Sequence, residues 1–367
     1  MFSSLKNYLR FQKIKNKDKL IIFFSEGFSS WLFIKYQFKN LIENNRTIYI
    51  TSSFDEYTYL IKKYPFKKLN FFYCGAKSIR TIWLNSISAN SLITTIPDLN
   101  LYHWKRSPFV KKYCYLFHSL GSTTMIYNNK AFDSYDVIYC CTDYQYKELS
   151  YRKKKLNLHY KLYKSGYNHL DYLIKNSKEN LKSNKILNIL IAPTWSINED
   201  NSYLVNLIKI LSNQKNLHLI LRFHPMNKEH SIKKIEHLLT ANVIVDDCNN
   251  YSSYFKSDIL ITDWSTASIE YSMGLLKPSI HINTKPKIRN KKFKLDEIDQ
   301  MYEKKFRNLL GIEINISNIN ELNYEYFLKL INDDERILNM KLLRNKHVYN
   351  ISESNKVLEK QILNEIS

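Results

Sequence analysis

Residues 258–274 read DILITDWSTASIEYSMG, a strand, a turn and a helix start in direct succession. Ile259, Leu260 and Ile261 make a short apolar run of the kind buried on both faces of a parallel sheet. Helical spacing begins after Thr262-Asp263-Trp264-Ser265-Thr266, and no glycine marks the break. A strand that runs straight into a helix presents the free N–H groups of the first turn at the carboxyl edge of a sheet. That edge is where open α/β sheets bind ligands. Ser265 or Asp263 can cap this helix. With the Ser265 and Thr266 hydroxyls, the turn then forms an anion site backed by the helix dipole. The bland alternative is a well-capped helix and nothing more.

The same unit recurs on both sides. Strand-like runs fall near 20–24, 46–51, 69–74, 91–96, 112–117, 136–141 and 160–166, with helical patterns between most of them. After a polar stretch at 175–185 (KNSKENLKSNK) the pattern restarts. Strands are expected near 186–191, 217–222, 242–246, 258–262 and 278–282, and helices near 200–213, 229–240 and 265–274. The last 40 or so residues read as helical. Strand–helix alternation of this kind implies α/β architecture with right-handed parallel sheets covered by helices. The expected fold class is two Rossmann-like domains facing a cleft. Residues 1–178 make an acceptor-side domain, and 179–367 a nucleotide-donor domain that includes the C-terminal helices.

Chemistry is therefore sought at strand ends. Strand 112–117 runs into His118-Ser119-Leu120-Gly121-Ser122-Thr123-Thr124. An imidazole near its ordinary pKa is a competent general base, and the hydroxyl-rich loop after it suits a phosphate or an acceptor hydroxyl. The alternative is a loop histidine bonded to a backbone carbonyl. Strand 217–222 ends in Arg222-Phe223-His224-Pro225. Arg222 and His224 share one strand face, which suits an anion; a surface histidine before a turn is the other reading. Ala192-Pro193-Thr194-Trp195 and Gly166-Tyr167-Asn168-His169-Leu170-Asp171 are weaker features alone.

Absences narrow the function. The six glycines are too scattered for a GxGxxG turn, a Walker A loop or a GxSxG elbow. No two aspartates have D-x-D spacing, and HExxH and CxxC are missing. Five cysteines at spacings that fit no zinc site read as buried, reduced thiols. No signal-peptide h-region or membrane-length apolar run is seen, so the protein is expected inside the cell. A net charge of +21 points to a polyanionic partner, whether nucleic acid, anionic lipid or a phosphorylated substrate. The 28 Tyr and 19 Phe keep a nucleic-acid-binding protein in view, but no RRM, KH or helix-turn-helix pattern appears. The basic N-terminus places Phe2, Leu5 and Leu9 at helical spacing, readable as a membrane-surface helix or as an ordinary packed one.

Taken in order, these stretches resemble the CDP-glycerol:poly(glycerophosphate) glycerophosphotransferases, the teichoic-acid primases and polymerases. The resemblance covers about residues 112–285. Its carriers are Gly166 to Asp171, Ala192 to Trp195, Arg222 to Pro225, and Thr262 to Thr266 with Glu270 at the later acid position. The family's N-terminal histidine falls on His118. Departures are Ser119 for the glycine after the histidine, Asn168-His169 for Pro-Arg, Ser196 for an arginine, and Glu270 for Asp. The resemblance implies a GT-B fold and transfer of a polyol phosphate, most simply glycerol 3-phosphate, from a CDP-linked donor to a lipid-linked or glycan hydroxyl. His118 and His224 would be catalytic, and Thr194, Arg222, Asp263, Ser265, Thr266 and Glu270 would hold the donor. No metal site and no obligatory cofactor are expected, although a Mg2+ could ride on the donor. Attachment to an anionic membrane surface would be peripheral. The competing reading is a GT-B glycosyltransferase using a nucleotide sugar, such as a Kdo-type enzyme.

Overall fold

A computed structural model describes residues 2–15, 21–42, 47–177, 186–194, 202–224, 228–247 and 250–366. The first sheet contains β1 (Ile21–Ser25), β2 (Thr47–Thr51), β3 (Phe71–Tyr73), β4 (Ala89–Thr94), β5 (Val110–Leu116), β6 (Val137–Cys140) and β7 (Lys161–Lys164). Its spatial order is β3-β2-β1-β4-β5-β6-β7. The second contains β8 (Leu187–Ile191), β9 (Leu217–Leu221), β10 (Val243–Val245), β11 (Ile259–Thr262), β12 (Ser279–Asn283) and β13 (Gly311–Asn315), in the order β10-β9-β8-β11-β12-β13. Every strand pair in both sheets is parallel. The strand order reverses between β1 and β4 in one sheet and between β8 and β11 in the other. These are the switch points where such sheets bind ligands. The two Rossmann-like domains expected from the sequence are both present.

Alternation explains how each strand is covered on both faces. Tyr113, Tyr115 and Phe117 enter one core, while Cys114 and Leu116 enter the core on the opposite side of the sheet. Each large side chain buried this way contributes roughly 1.5–3 kcal/mol. Cys74, Cys114, Cys140 and Cys141 are buried free thiols, and burial pushes their pKa values up. Cys248 lies outside the described residues, as do the linker at 178–185, Trp195, Ser196 and Pro225.

Three features differ from expectation. β13 was not foreseen; it is a five-residue edge strand whose sequence, GIEIN, is too short to stand out. Gly311 is needed there because a Cβ would fall 1.5 Å from the Ser279 carbonyl oxygen. The terminal helix Ser354–Ile366 packs on the first sheet rather than extending the second domain: Leu358 and Ile362 join the core containing Phe23 and Leu116. Its Glu365 takes bonds from Lys112 (2.8 Å) and Lys161 (2.7 Å), and Gln37 bonds Asn355 at 2.8 Å. Finally, the helix Phe2–Gln12 buries Ser4, Asn7 and Phe11, leaving Leu5 and Leu9 exposed. The apolar spacing in the sequence marks its outer face.

Candidate functional site

At the switch point of the second sheet, the ends of β8 and β11 are tied together. The Thr262 hydroxyl donates to the Ala192 carbonyl (2.6 Å), and the Thr194 N–H donates to Asp263 Oδ1 (2.7 Å). Arg307 donates to the Asp263 carbonyl at 2.7 Å and lies over the Trp264 ring at 4.1 Å. Asp263 is thus a buried brace between strand ends and not the helix cap. The helix Ala267–Leu275 starts after Thr266, whose side chain makes no capping bond. Ser265 Oγ accepts from the Ala267 N–H at 3.3 Å, so Ser265 closes the first turn. The Thr266 hydroxyl is not spent on its own helix. Thr194 Oγ1 is buried with no hydrogen-bond partner among the described residues.

The first domain meets this turn through the loop after β5. A Cβ at Gly121 would lie 2.7 Å from Thr266 Cγ2, so the missing side chain is what lets the two domains touch here. The hydroxyls expected to await a phosphate are already engaged. Ser122 gives both its N–H (2.7 Å) and its hydroxyl (2.9 Å) to the buried Glu303. Thr123 gives both donors to Glu148 at 2.6 Å, and the Thr124 hydroxyl contacts Met301 sulfur. This loop is a clasp between domains, not an anion cradle. Sequence could not show it, because Glu303 comes from a helix of the other domain and Glu148 from the far side of the following strand.

His118, at the head of that loop, sits against the Phe33 ring, and its Nδ1 is buried with no hydrogen-bond partner among the described residues. Burial drives the imidazole down to about 4; a backbone bond to Thr95 resists this, and His224 across the cleft adds to it. The ordinary pKa expected of it is therefore corrected. It stays neutral at physiological pH, the form that accepts a proton. His224 remains exposed to the cleft. Its surroundings and Lys287 also lower its proton affinity, although open solvent moderates that effect.

Arg222 and His224 do not form the simple anion clamp read from their spacing. Arg222 is ion-paired to Asp246, donates to the Asn250 carbonyl at 2.8 Å, and lies over Tyr251 at 5.2 Å. His224 instead lies within electrostatic reach of His118 and Lys287. Glu270 is buried; its Oε1 is 2.9 Å from the Tyr167 hydroxyl, which is 3.0 Å from the His118 carbonyl. His169 approaches its Oε2 at 3.8 Å. The side chain thus faces the domain seam, where one of its oxygens is already engaged by Tyr167. Two of the departures from the family pattern, His169 and Glu270, are neighbours in space.

The Gly166-to-Asp171 stretch is largely architectural. Gly166 has φ +88°, and a Cβ there would meet the Tyr349 carbonyl at 2.4 Å. Asp171 accepts from the N–H groups of Ser352 (2.7 Å) and Ser354 (3.0 Å), fastening the start of the terminal helix. Tyr167 is the residue that sequence reasoning left without a role; its hydroxyl is the link between His118 and Glu270. Among the described residues no group of three or more His, Cys, Asp or Glu could hold a metal, and no helix is long and apolar enough to cross a membrane.

No curated protein matches the chain. Solved structures share its fold. The wall teichoic acid polymerase TagF, in a variant soaked with CDPG, aligns over 99% of this chain and 93% of its own at 16% identity, with TM-score 0.60. The S. aureus MnaA–UDP complex aligns over 95% and 96% at 12% identity, with TM-score 0.59. A UDP-N-acetylglucosamine 2-epimerase aligns over 94% and 96% at 11% identity, with TM-score 0.56. All support the GT-B type of architecture. The profile of one family matches residues 10–287, most of the chain. The chain therefore belongs to the CDP-glycerol:poly(glycerophosphate) glycerophosphotransferase family, transferases that move a polyol phosphate from a CDP-activated donor.

Proposed function

We propose that the enzyme transfers glycerol phosphate from CDP-glycerol to a hydroxyl of a lipid-linked or surface-glycan acceptor, with the cleft between the domain of the first sheet, joined by the returning helix Ser354–Ile366, and the domain of the second sheet as its active site. The observation that carries this reading is the approach of His118 and His224 from opposite domains, together with the contact that the loop headed by His118 makes, at Gly121, with Thr266 at a helix start. The donor pyrophosphate rests at the positive end of the helix that starts after Thr266, with the Ser265, Thr266 and Thr194 hydroxyls around it. Arg222 adds its charge from behind its partner Asp246. The acceptor oxygen attacks the phosphorus bearing glycerol, and neutral His118 takes the hydroxyl proton. The bond from that phosphorus to the bridging oxygen breaks, and CMP leaves with the electron pair. His224 donates to the phosphoryl oxygens as charge shifts toward CMP. Positioning and charge stabilisation are what such transfers chiefly require.

A Mg2+ would enter on the donor's own phosphates, since Asp263 and Glu270 are committed to Thr194 and Tyr167. The exposed Leu5 and Leu9 beside Lys6 and Lys13 support peripheral attachment to the inner membrane face. We assign the +21 charge to phosphate and lipid rather than nucleic acid. The family match weighs against a sugar-transferring enzyme. The test is incubation with CDP-glycerol or a nucleotide sugar and a lipid-linked acceptor. CMP release with CDP-glycerol alone supports the reading; turnover of only the nucleotide sugar overturns it.

A further inference from the structure

We propose that Glu270 is a positioning residue that works as a neutral carboxylic acid, donating to Tyr167 so that Tyr167 can hold the His118 carbonyl across the domain seam. This rests on the reading of His118 as the base. The argument begins with counting protons. The Tyr167 hydroxyl has one proton and two oxygen neighbours, Glu270 Oε1 at 2.9 Å and the His118 carbonyl at 3.0 Å. The carbonyl can only accept. If Glu270 were ionised, both neighbours would be acceptors competing for one proton, and a buried carboxylate would be left with a shared bond. Such a charge is expensive to keep uncompensated. If Glu270 carries the proton, every bond has one donor and one acceptor. The chain then runs Glu270 to Tyr167 to the His118 carbonyl.

The groups around Glu270 agree. His169 is 3.8 Å from Oε2, too far for a hydrogen bond, and neither of its ring nitrogens has a hydrogen-bond partner among the described residues. Burial drives His169 down to about 3, so it supplies no positive charge. Arg222 is the cation whose field reaches Glu270, but it is bound to Asp246. The Tyr251 phenol and the Cys141 thiol are held neutral by burial. Against the pull of Tyr167 and Arg222, burial pushes the Glu270 carboxyl up to about 8. Above that pH the carboxylate captures the Tyr167 proton, and the His118 carbonyl loses its donor.

Two measurements test this. Infrared difference spectra of wild type against E270Q read the protonation state without any substrate. A protonated-carboxyl band at pH 7 that E270Q removes, and that wild type loses by about pH 10, is the expected result. A carboxylate signal at pH 7 overturns the inference whatever the enzyme turns over. In parallel, kcat is followed from pH 7 to pH 9. Wild type should fall at least about threefold over this range. E270Q, whose amide donates at every pH, should show a pH 9 to pH 7 ratio near one, and Y167F should show neither the limb nor the wild-type rate. The same alkaline limb in E270Q would refute the role. Absence of turnover with CDP-glycerol alone would count against the proposed reaction and leave the infrared result to decide this inference.

Discussion

Replacing Gly121 by Ala would test whether the two domains must touch where the structure brings them together. The added Cβ would sit 2.7 Å from Thr266 Cγ2, 3.2 Å from Glu303 Oε1 and 3.3 Å from Ile126 Cδ1. Carbon–carbon contact is comfortable at about 3.5–4.0 Å, so Thr266 must retreat by roughly 1 Å. Overpacking of this kind costs about 1–3 kcal/mol. A displacement of that size at a reacting centre can lower the rate by about 10²-fold. Both effects are expected, because Thr266 sits at the start of the helix assigned to the donor. Thr266→Ser removes the clashing methyl and keeps the hydroxyl, so the double variant G121A/T266S should recover much of both losses. The assay is urea denaturation together with CMP release, read as a double-mutant cycle with a coupling of about 1–2 kcal/mol. If G121A matches wild type in stability and turnover, or if T266S brings no rescue, the contact is not what shapes the site.

Ala at His118 or at His224 should cut kcat by about 10²-fold or more. Because both imidazoles are held neutral, the acid limb of the rate should fall below about pH 5, and a limb near pH 6.5 would contradict the burial of His118. Ser265 and Thr266 changed together to Ala should weaken CDP binding several-fold to some tens-fold by calorimetry, since each hydroxyl contributes roughly 0.5–1.5 kcal/mol and the N–H groups remain; an unchanged affinity places the nucleotide elsewhere. Bonds from Lys112, Lys161 and Tyr163 hold the Glu365 carboxyl down to about 2. The stability it confers is present above the ordinary glutamate pKa and lost as pH falls toward 2, so E365Q should flatten the urea midpoint between pH 5 and pH 3 relative to wild type. In liposome sedimentation, anionic vesicles should retain the protein at low salt and release it at physiological salt, with weaker retention after L5S/L9S; equal recovery with neutral vesicles rejects membrane attachment.

The strands other than β13 and the strand-end positions of His118, Arg222, His224 and Ser265 were legible in the sequence. Those features depend on local chemistry: β-branched apolar runs, the absence of glycine at Thr262–Thr266, and proline after His224. The family signature was legible for the same reason, being a string of such local turns. What each polar side chain touches was decided only by tertiary structure. Ser122 and Thr123 looked like free donors until Glu303 came to one from far along the chain and Glu148 to the other from the following helix. Asp171 belonged to a stretch that was a weak feature alone, and it fastens the return of the terminal helix to the first sheet. Asp263 and Glu270 looked like donor contacts, yet one braces two strands and the other meets Tyr167 across the seam. The physical reason is the same in each case. A strand or helix is settled by neighbours within a few residues, whereas a buried polar group must be satisfied by whatever the fold delivers to it, and that partner leaves no mark in the adjacent sequence.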